Sequence, residues 1–450
     1  MVEVLSEKIM KSGYDYAEIR FDEGSASSVS IAGKEVEHTG TNNFSGGCVR
    51  VYNNGRWGFV SFNDKDLVDK AIRKAGEQCE GKPGEKTAIS AGPQVKDYVK
   101  AGYEINPSSI TLEEKFRLCS SYNEILNKSN IETTSVRYRD IDMKNHFVNT
   151  GGSVITQEKI NSGIMMAAVA RDGSNVQQAY RSFGENAGYE IVKDKEINAE
   201  DTVKDALDLL KAPKIQGGKY DVIMDQRLSG VFAHEAFGHL SESDFLCRNS
   251  DFQKKMVPGT RFGPELLSIV DDGTLLDARG GFKYDDEGFP SQKTYLIKNG
   301  VLEGRLHSRE TASVMGESCT GNARAMNYRF QPIVRMSCTY IESGESSFED
   351  LIEGIDRGVY AIGMLGGNTD LEMFTFSAEK AFLIEKGKLK GLVRDVILTG
   401  NVFETMKNID GAASDFELHG GMGGCGKAGQ SPLPVSDGGP HIRARDVLIG

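Results

Sequence analysis

The sequence predicts an α+β protein. An N-terminal domain of antiparallel strands and flanking helices precedes a C-terminal, mainly antiparallel domain, sandwich- or barrel-like, that carries one histidine-containing helix. Three observations predict this. Strand-period segments alternate with short amphipathic helices through the first 211 residues. Two strand–glycine–strand segments, 295–304 and 382–391, repeat one hairpin pattern in the second half. Between these regions, Lys-Ala-Pro-Lys-Ile-Gln-Gly-Gly-Lys-Tyr at 211–220 places Pro213, Gly217 and Gly218 in a break between domains. The division is therefore 1–212 and 213–450, and 450 residues suffice for two large domains or about three small ones.

Taken in order, residues 2–12 form a short helix with Val2, Leu5 and Ile9 on one face. From Tyr16 to Phe62 β-branched and alternating residues mark strands, and Asn54-Gly55 marks a hairpin turn. A helix over 64–78 sets Leu67, Val68, Ala71, Ile72 and Ala75 on one face. Residues 80–109, with Pro83, Pro93 and Pro107 and no strong period, read as a connector. Thr111 and Glu114 form a capping box opening a helix to about Asn127. Residues 133–183 are again strand-rich, and 197–211 are helical, so the N-terminal domain consists of two strand-plus-helix halves. In the C-terminal domain, helices are expected around 228–246, 349–362 and 401–410.

Composition narrows the function. Glycine is abundant, 52 of 450 residues, about 12% against a typical ~7%, without the Gly-X-Y period of collagen. The net charge of −12 argues against a dedicated nucleic-acid binder, which needs a basic stripe. Seven scattered cysteines without C-x-x-C spacing fit a reduced compartment better than a disulfide framework. The N-terminus has no apolar signal segment, and no window approaches 18 apolar residues. A cytoplasmic protein without membrane attachment is expected.

The chemistry-bearing segment is His234-Glu235-Ala236-Phe237-Gly238-His239, an H-E-x-x-x-H pattern. On an α-helix, positions i and i+5 point about 140° apart, too far to share one ion. A local π-type turn brings them into line, and Gly238 would ease that distortion. A π turn or unwound turn is therefore expected at 234–239, presenting His234 and His239 as metal ligands beside Glu235 as general base. Two histidines do not hold a zinc ion. The best third ligand is Cys425, set among six glycines in positions 420–429, with His419 competing in the same loop. Three protein ligands rather than four are the count of a catalytic site. The glycine cluster is no phosphate cradle, because Lys427 is followed by alanine and Gly421–Gly426 opens no helix. No G-x-S-x-G elbow supports a serine hydrolase. Tyr284, His419 and Arg324 are candidates for an oxyanion donor.

Several segments together resemble the TldD/PmbA family of bacterial and archaeal metalloproteases, in particular its TldD-type subunit. They are HEAFGHLSESDF at 234–245, DDGT at 271–274, YDDEGFPSQKT at 284–294, TGNARAMNYR at 320–329, GGCGKAGQ at 423–430 and VSDGGPHIR at 435–443, with GGCVRVYNNGRWGF at 46–59. The resemblance implies one Zn2+ held by His234, His239 and Cys425, with Glu235 as the catalytic carboxylate. It implies hydrolysis of unfolded or flexible peptides, and a heterodimer with a PmbA/TldE-type subunit, or a homodimer in a stand-alone relative. The family has also been linked to modulation of DNA gyrase. A metal-dependent amidohydrolase acting on a non-peptide substrate, and a catalytically silent binding or regulatory subunit, are the alternative readings.

Overall fold

The computed structural model describes all residues except 83, 85–88, 90 and 91. Helix α1 (Val2–Met10) precedes long strands β1 (Tyr16–Ala32) and β2 (Glu35–Asn53), then β3 (Arg56–Phe62) and α2 (Val68–Glu77). Strand β4 (Lys96–Val99) and helix α3 (Leu112–Leu126) follow, then β5 (Ile131–Asn149), β6 (Val154–Asp172), β7 (Asn175–Glu185) and α4 (Glu196–Lys211). One seven-stranded sheet, in the order β3-β2-β1-β5-β6, with β4 and β7 both pairing β6, holds all of these strands. Helices α3 and α4 cover one face, burying Val136, Tyr138, Ile164, Met166 and Ala168. The opposite face carries the alternate residues, among them Glu18, Arg20, Arg50 and Arg139.

The C-terminal part begins with β8 (Gly218–Met224) and α5 (Gln226–Ala233), followed by short helices α6 (Ser243–Leu246) and α7 (Ser250–Lys255). Then come β9 (Ile269–Asp272), β10 (Lys293–Lys298), β11 (Val301–Leu302), α8 (Arg309–Met315), the paired β12 (Ala323–Arg324) and β13 (Ile333–Val334), β14 (Cys338–Ile341) and α9 (Phe348–Glu353). Strands β15 (Arg357–Ile362), β16 (Gly366–Asp370), β17 (Met373–Ser377), β18 (Lys380–Glu385), β19 (Lys388–Val393) and β20 (Ile397–Asn401) lead to α10 (Val402–Lys407) and β21 (Ile409–Ala412). The chain ends with β22 (Glu417–His419), β23 (Cys425–Lys427), β24 (Gln430–Leu433), β25 (Ser436–Gly439) and β26 (Ile442–Ile449). A six-stranded sheet, β11-β10-β9-β14-β25-β22, and a nine-stranded sheet around β26-β8-β15 make up most of this part, antiparallel except at β14–β25 and β8–β15. Helix α5 lies between them, against β25, β14 and β22 on one side and β8 and β15 on the other. Leu228, Phe232, Val222, Ile341 and Ile442 share its core.

The expected α+β architecture with antiparallel sheets is what the chain adopts. Both repeated hairpins form, turning at Asn299-Gly300 and Lys386-Gly387 with positive φ at each position, but they lie in different sheets. Two expectations need correction. The 80–109 connector contains β4, whose parallel pairing with Val154–Gln157 shows no signal in four residues of mixed exposure; Pro83 lies outside the described residues. The helix expected over 349–362 stops at Glu353, and Arg357–Ile362 is a strand. The strand is specified by its partner: Gly358–Ala361 pair in parallel with Asp221–Met224, and Gly358 allows the close approach, since a Cβ there would stand 2.6 Å from the Asp221 carbonyl. Among the described residues, no helix is long and apolar enough to cross a membrane.

Candidate metal centre

Asp225 caps α5, its carboxylate accepting from the Leu228 N–H at 2.8 Å. The helix can lie close to β25 because Gly230 faces Gly438: a Cβ on Gly230 would meet the Gly438 nitrogen at 2.3 Å. After Ala233 the backbone widens into a single π turn over His234–Gly238, with the His239 N–H bonded to the His234 carbonyl. The i to i+5 pair therefore falls on one side, with the two imidazole centroids 5.1 Å apart. Gly238 contributes differently from expectation. Its φ and ψ of −57° and −52° are helical, so no special conformation is used. A Cβ there would lie 2.1 Å from the Met336 sulfur, so the glycine supplies space.

Cys425 opens the β23–β24 hairpin, and its carbonyl accepts from the buried Arg335 guanidinium at 2.8 Å. The Cys425 Sγ lies 3.4 Å from His239 Nε2, and one ligand-capable atom each of His234, His239 and Cys425 lies within 4.8 Å of the others. The Nδ1 atoms are already engaged: His234 Nδ1 with Asp437 Oδ1 at 2.7 Å, and His239 Nδ1 with Glu242 Oε2 at 2.9 Å. This leaves the two Nε2 atoms available to hold an ion, and a carboxylate behind each ring favours the Nδ1–H tautomer that such a role requires. Glu242 is 1% exposed and is bridged to Lys427 at 2.9 Å, two residues beyond Cys425. Lys427 also reaches Asp244 at 2.6 Å and the Val334 carbonyl at 2.9 Å. Lys427 thus ties the hairpin that bears the thiol to the carboxylates behind His239.

Electrostatics follow from these contacts. Burial opposes ionisation of Cys425, yet the charge and hydrogen bonds of the His234 and His239 imidazolium rings hold its thiol down to about 5. Burial likewise disfavours the imidazolium of His239, but Glu242 and Cys425 hold it up to about 9. Glu242, despite burial, is held down to about 2 by Lys427 and His239. Once an incoming ion displaces the Nε2 protons, a thiolate and two imidazoles, each ring oriented by a carboxylate, form a donor set suited to Zn2+.

Glu235 is on the same turn, its Oε2 3.9 Å from His239 Nε2 and its side chain 29% exposed. His419, the competing ligand, stands opposite Asp437 in the β22–β25 register and lies outside the group of three. Burial holds its imidazole down to about 4. The other oxyanion candidates are occupied elsewhere: Tyr284 donates to Asp97 at 2.8 Å, and Arg324 donates to the Met336 and Pro434 carbonyls at 2.5 and 2.8 Å. Sequence reasoning missed Asp437, Glu242, Lys427 and Arg335. Of these, Glu242 carried a signal, since it follows His239 by three residues.

The comparisons with known proteins agree along the chain. Residues 217–450 match the PmbA/TldA metallopeptidase C-terminal domain, 105–212 the central domain and 17–79 domain 1 of the same family. A metalloprotease of Synechocystis is 40% identical over 98% of this chain and 96% of its own. One from Methanothermobacter thermautotrophicus is 37% identical over 97% and 95%. A zinc metalloprotease TldD homolog of Saccharolobus solfataricus is 29% identical over 98% of both chains. Among solved structures, a Thermotoga maritima protein described as a candidate modulator of DNA gyrase superposes with a TM-score of 0.80 at 21% identity, covering 100% of this chain and 99% of its own. TldE from Thermococcus kodakarensis gives 0.76 at 20%, with the same coverage. The curated relatives carry the name metalloprotease, and the chain belongs to the TldD/PmbA family of metallopeptidases.

Proposed function

We propose that this protein is a zinc-dependent peptidase acting on unfolded or flexible peptides, with His234, His239 and Cys425 holding the ion and Glu235 as general base. The observation that carries the reading is the convergence of two carboxylate-oriented imidazoles and a thiolate on one point, with a further carboxylate beside them. When bound, the ion polarises the scissile carbonyl and makes water a competent nucleophile near neutral pH. Glu235 takes a proton from the attacking water as the new C–O bond forms, and delivers it to the amine as the C–N bond breaks. Asp437 and Glu242 keep both rings facing inward through this exchange. An extended peptide can be recognised through its backbone at a sheet edge without a strong side-chain code. The fold shared with TldE, together with family membership, supports a dimer with a PmbA/TldE-type subunit or a second copy of this chain.

Zinc content and cleavage of an unstructured peptide, measured together, test the reading. Glu235→Gln is expected to retain about one zinc per chain and lose cleavage by a factor of about 100 or more. His234→Ala is expected to lose both. Equal cleavage by wild type and Glu235→Gln would overturn the assignment.

A further inference from the structure

The segment leading to Cys425 rests on the N-terminal sheet, and two glycines make this possible. Gly163 on β6 and Gly184 on β7 are register partners, and Arg139 on β5 is opposite Gly163. A Cβ at Gly163 would meet Met422 Cγ at 2.8 Å, and one at Gly184 would meet Arg279 Nη1 at 2.7 Å and the Gly421 carbonyl at 2.8 Å. Met422 and the Arg279 guanidinium therefore fill the space that side chains at these two positions would need, and Arg139 is the register neighbour of Gly163 on the next strand.

Arg279 is 8% exposed, yet no carboxylate lies within ion-pair distance of its guanidinium or that of Arg139 among the described residues. Its Nη1 donates to the neutral Asn161 Oδ1 at 3.0 Å, and its buried Nε has no partner. Burial, with Arg139 as a like-charged neighbour, pushes Arg279 down to about 10, against the pull of Glu185. Glu185 is a weak counter-ion, because burial pushes its own carboxyl up to about 7. Two guanidinium groups on one face with no carboxylate in ion-pair distance are unexpected in a chain of net charge −12. Holding a buried cation without its counter-charge is costly, and an incoming carboxylate would relieve that cost with charge-assisted hydrogen bonds. The pair is also joined to the metal centre: the Gly280 N–H, next to Arg279, donates to Ser436 Oγ at 3.3 Å, and the following residue, Asp437, holds His234.

We propose that Arg279 and Arg139 form a carboxylate-binding subsite beside the metal centre, which selects peptides carrying a carboxylate on one side of the cleaved bond. The subsite rests on the peptidase reading for its role in turnover, but its binding chemistry stands apart from it. The carboxylate has two possible sources, the peptide's C-terminus or an acidic side chain.

Three versions of one unstructured peptide separate the sources: a free C-terminus without acidic side chains, the same peptide amidated, and an amidated peptide with one aspartate. Their affinities are measured by fluorescence anisotropy on zinc-loaded Glu235→Gln protein, and kcat/KM on wild type. A carboxylate peptide is expected to bind about ten- to a hundredfold more tightly than the neutral one. Preference for the free C-terminus identifies the terminal carboxylate, and preference for the aspartate peptide the side chain. In the Glu235→Gln background, Arg279→Gln and Arg139→Gln should each bring the ratio towards one, with Arg279→Lys retaining part of it. Because Arg139 is exposed, Arg139→Gln keeps the test decisive even if Arg279→Gln misfolds. Equal affinities for all three peptides, or a preference that survives Arg139→Gln, would overturn the subsite. A preserved binding preference without cleavage by wild type would instead refute the peptidase reading and leave the subsite standing.

Discussion

At His234 and His239 the chemistry turns on which ring nitrogen is occupied. Asp437 and Glu242 hold the Nδ1 atoms, so both rings present Nε2 towards Cys425. Asp437→Asn keeps the shape but removes the charge that favours the ligating tautomer, so zinc affinity should fall by about 10- to 100-fold. Competition with a chromogenic chelator measures this, and an unchanged dissociation constant would show that Asp437 does not orient the ring. Cys425→Ser should be more severe, because it removes a thiolate ligand outright. The three proposed ligands were legible in the sequence: two histidines in a rare spacing and a single cysteine among glycines are local patterns. Asp437 was not legible as a ring partner, because it lies 203 residues from His234 and only the α5–β25 packing brings them together.

On the scale of elements, the π turn between α5 and the His239 turn was deducible from angular arithmetic alone, since i and i+5 cannot align on an α-helix. What surrounds the turn was not deducible. Gly230 and Gly238 look equivalent in sequence, yet one faces the backbone nitrogen of Gly438 at 2.3 Å and the other the Met336 sulfur at 2.1 Å. A methionine side chain can swing aside and a strand backbone cannot. Gly230→Ala should therefore cost at least about 3 kcal/mol, at the upper end of overpacking penalties, and Gly238→Ala about 1–2 kcal/mol. The Met336→Ala background should recover most of the Gly238→Ala loss and none of the Gly230→Ala loss. Denaturant unfolding of the three single and two double variants checks this, and equal costs at the two glycines would refute the distinction. The missed strands share a cause with these contacts: β4 and β15 are specified by their partners Val154–Gln157 and Asp221–Met224 rather than by their own periodicity.

Across the whole molecule, the N-terminal sheet and the C-terminal part meet through groups that neither would bury alone. Arg50 bridges Glu18 at 2.8 Å and Glu287 at 2.7 Å, and Arg20 bonds Asp286 at 3.1 Å. Closer to the metal centre, Glu185 at the end of β7 accepts from the Arg279 N–H at 3.1 Å. Burial raises its pKa to about 7, a shift that the backbone N–H groups of Arg279 and Gly420 and the Arg279 charge only partly offset. The sign follows directly. Between about pH 4.5, the unfolded value, and pH 7, the folded chain keeps a proton that the unfolded chain has lost. This contribution to stability is fully present below pH 4.5 and is lost as pH rises through 7, with a slope of at most about 1.4 kcal/mol per pH unit. Glu185→Gln keeps an acceptor for one N–H but cannot ionise, so the term should vanish. Urea unfolding of wild type and Glu185→Gln at pH 5, 6, 7 and 8 should give curves that diverge progressively, with the variant gaining on wild type up to pH 7 and little beyond. Other titrating groups, including His234, His239 and Cys425, act on both proteins alike and cancel in the difference. Parallel curves would mean that Glu185 ionises freely, and the contact between the sheet and the Arg279 segment would then have to be open to water.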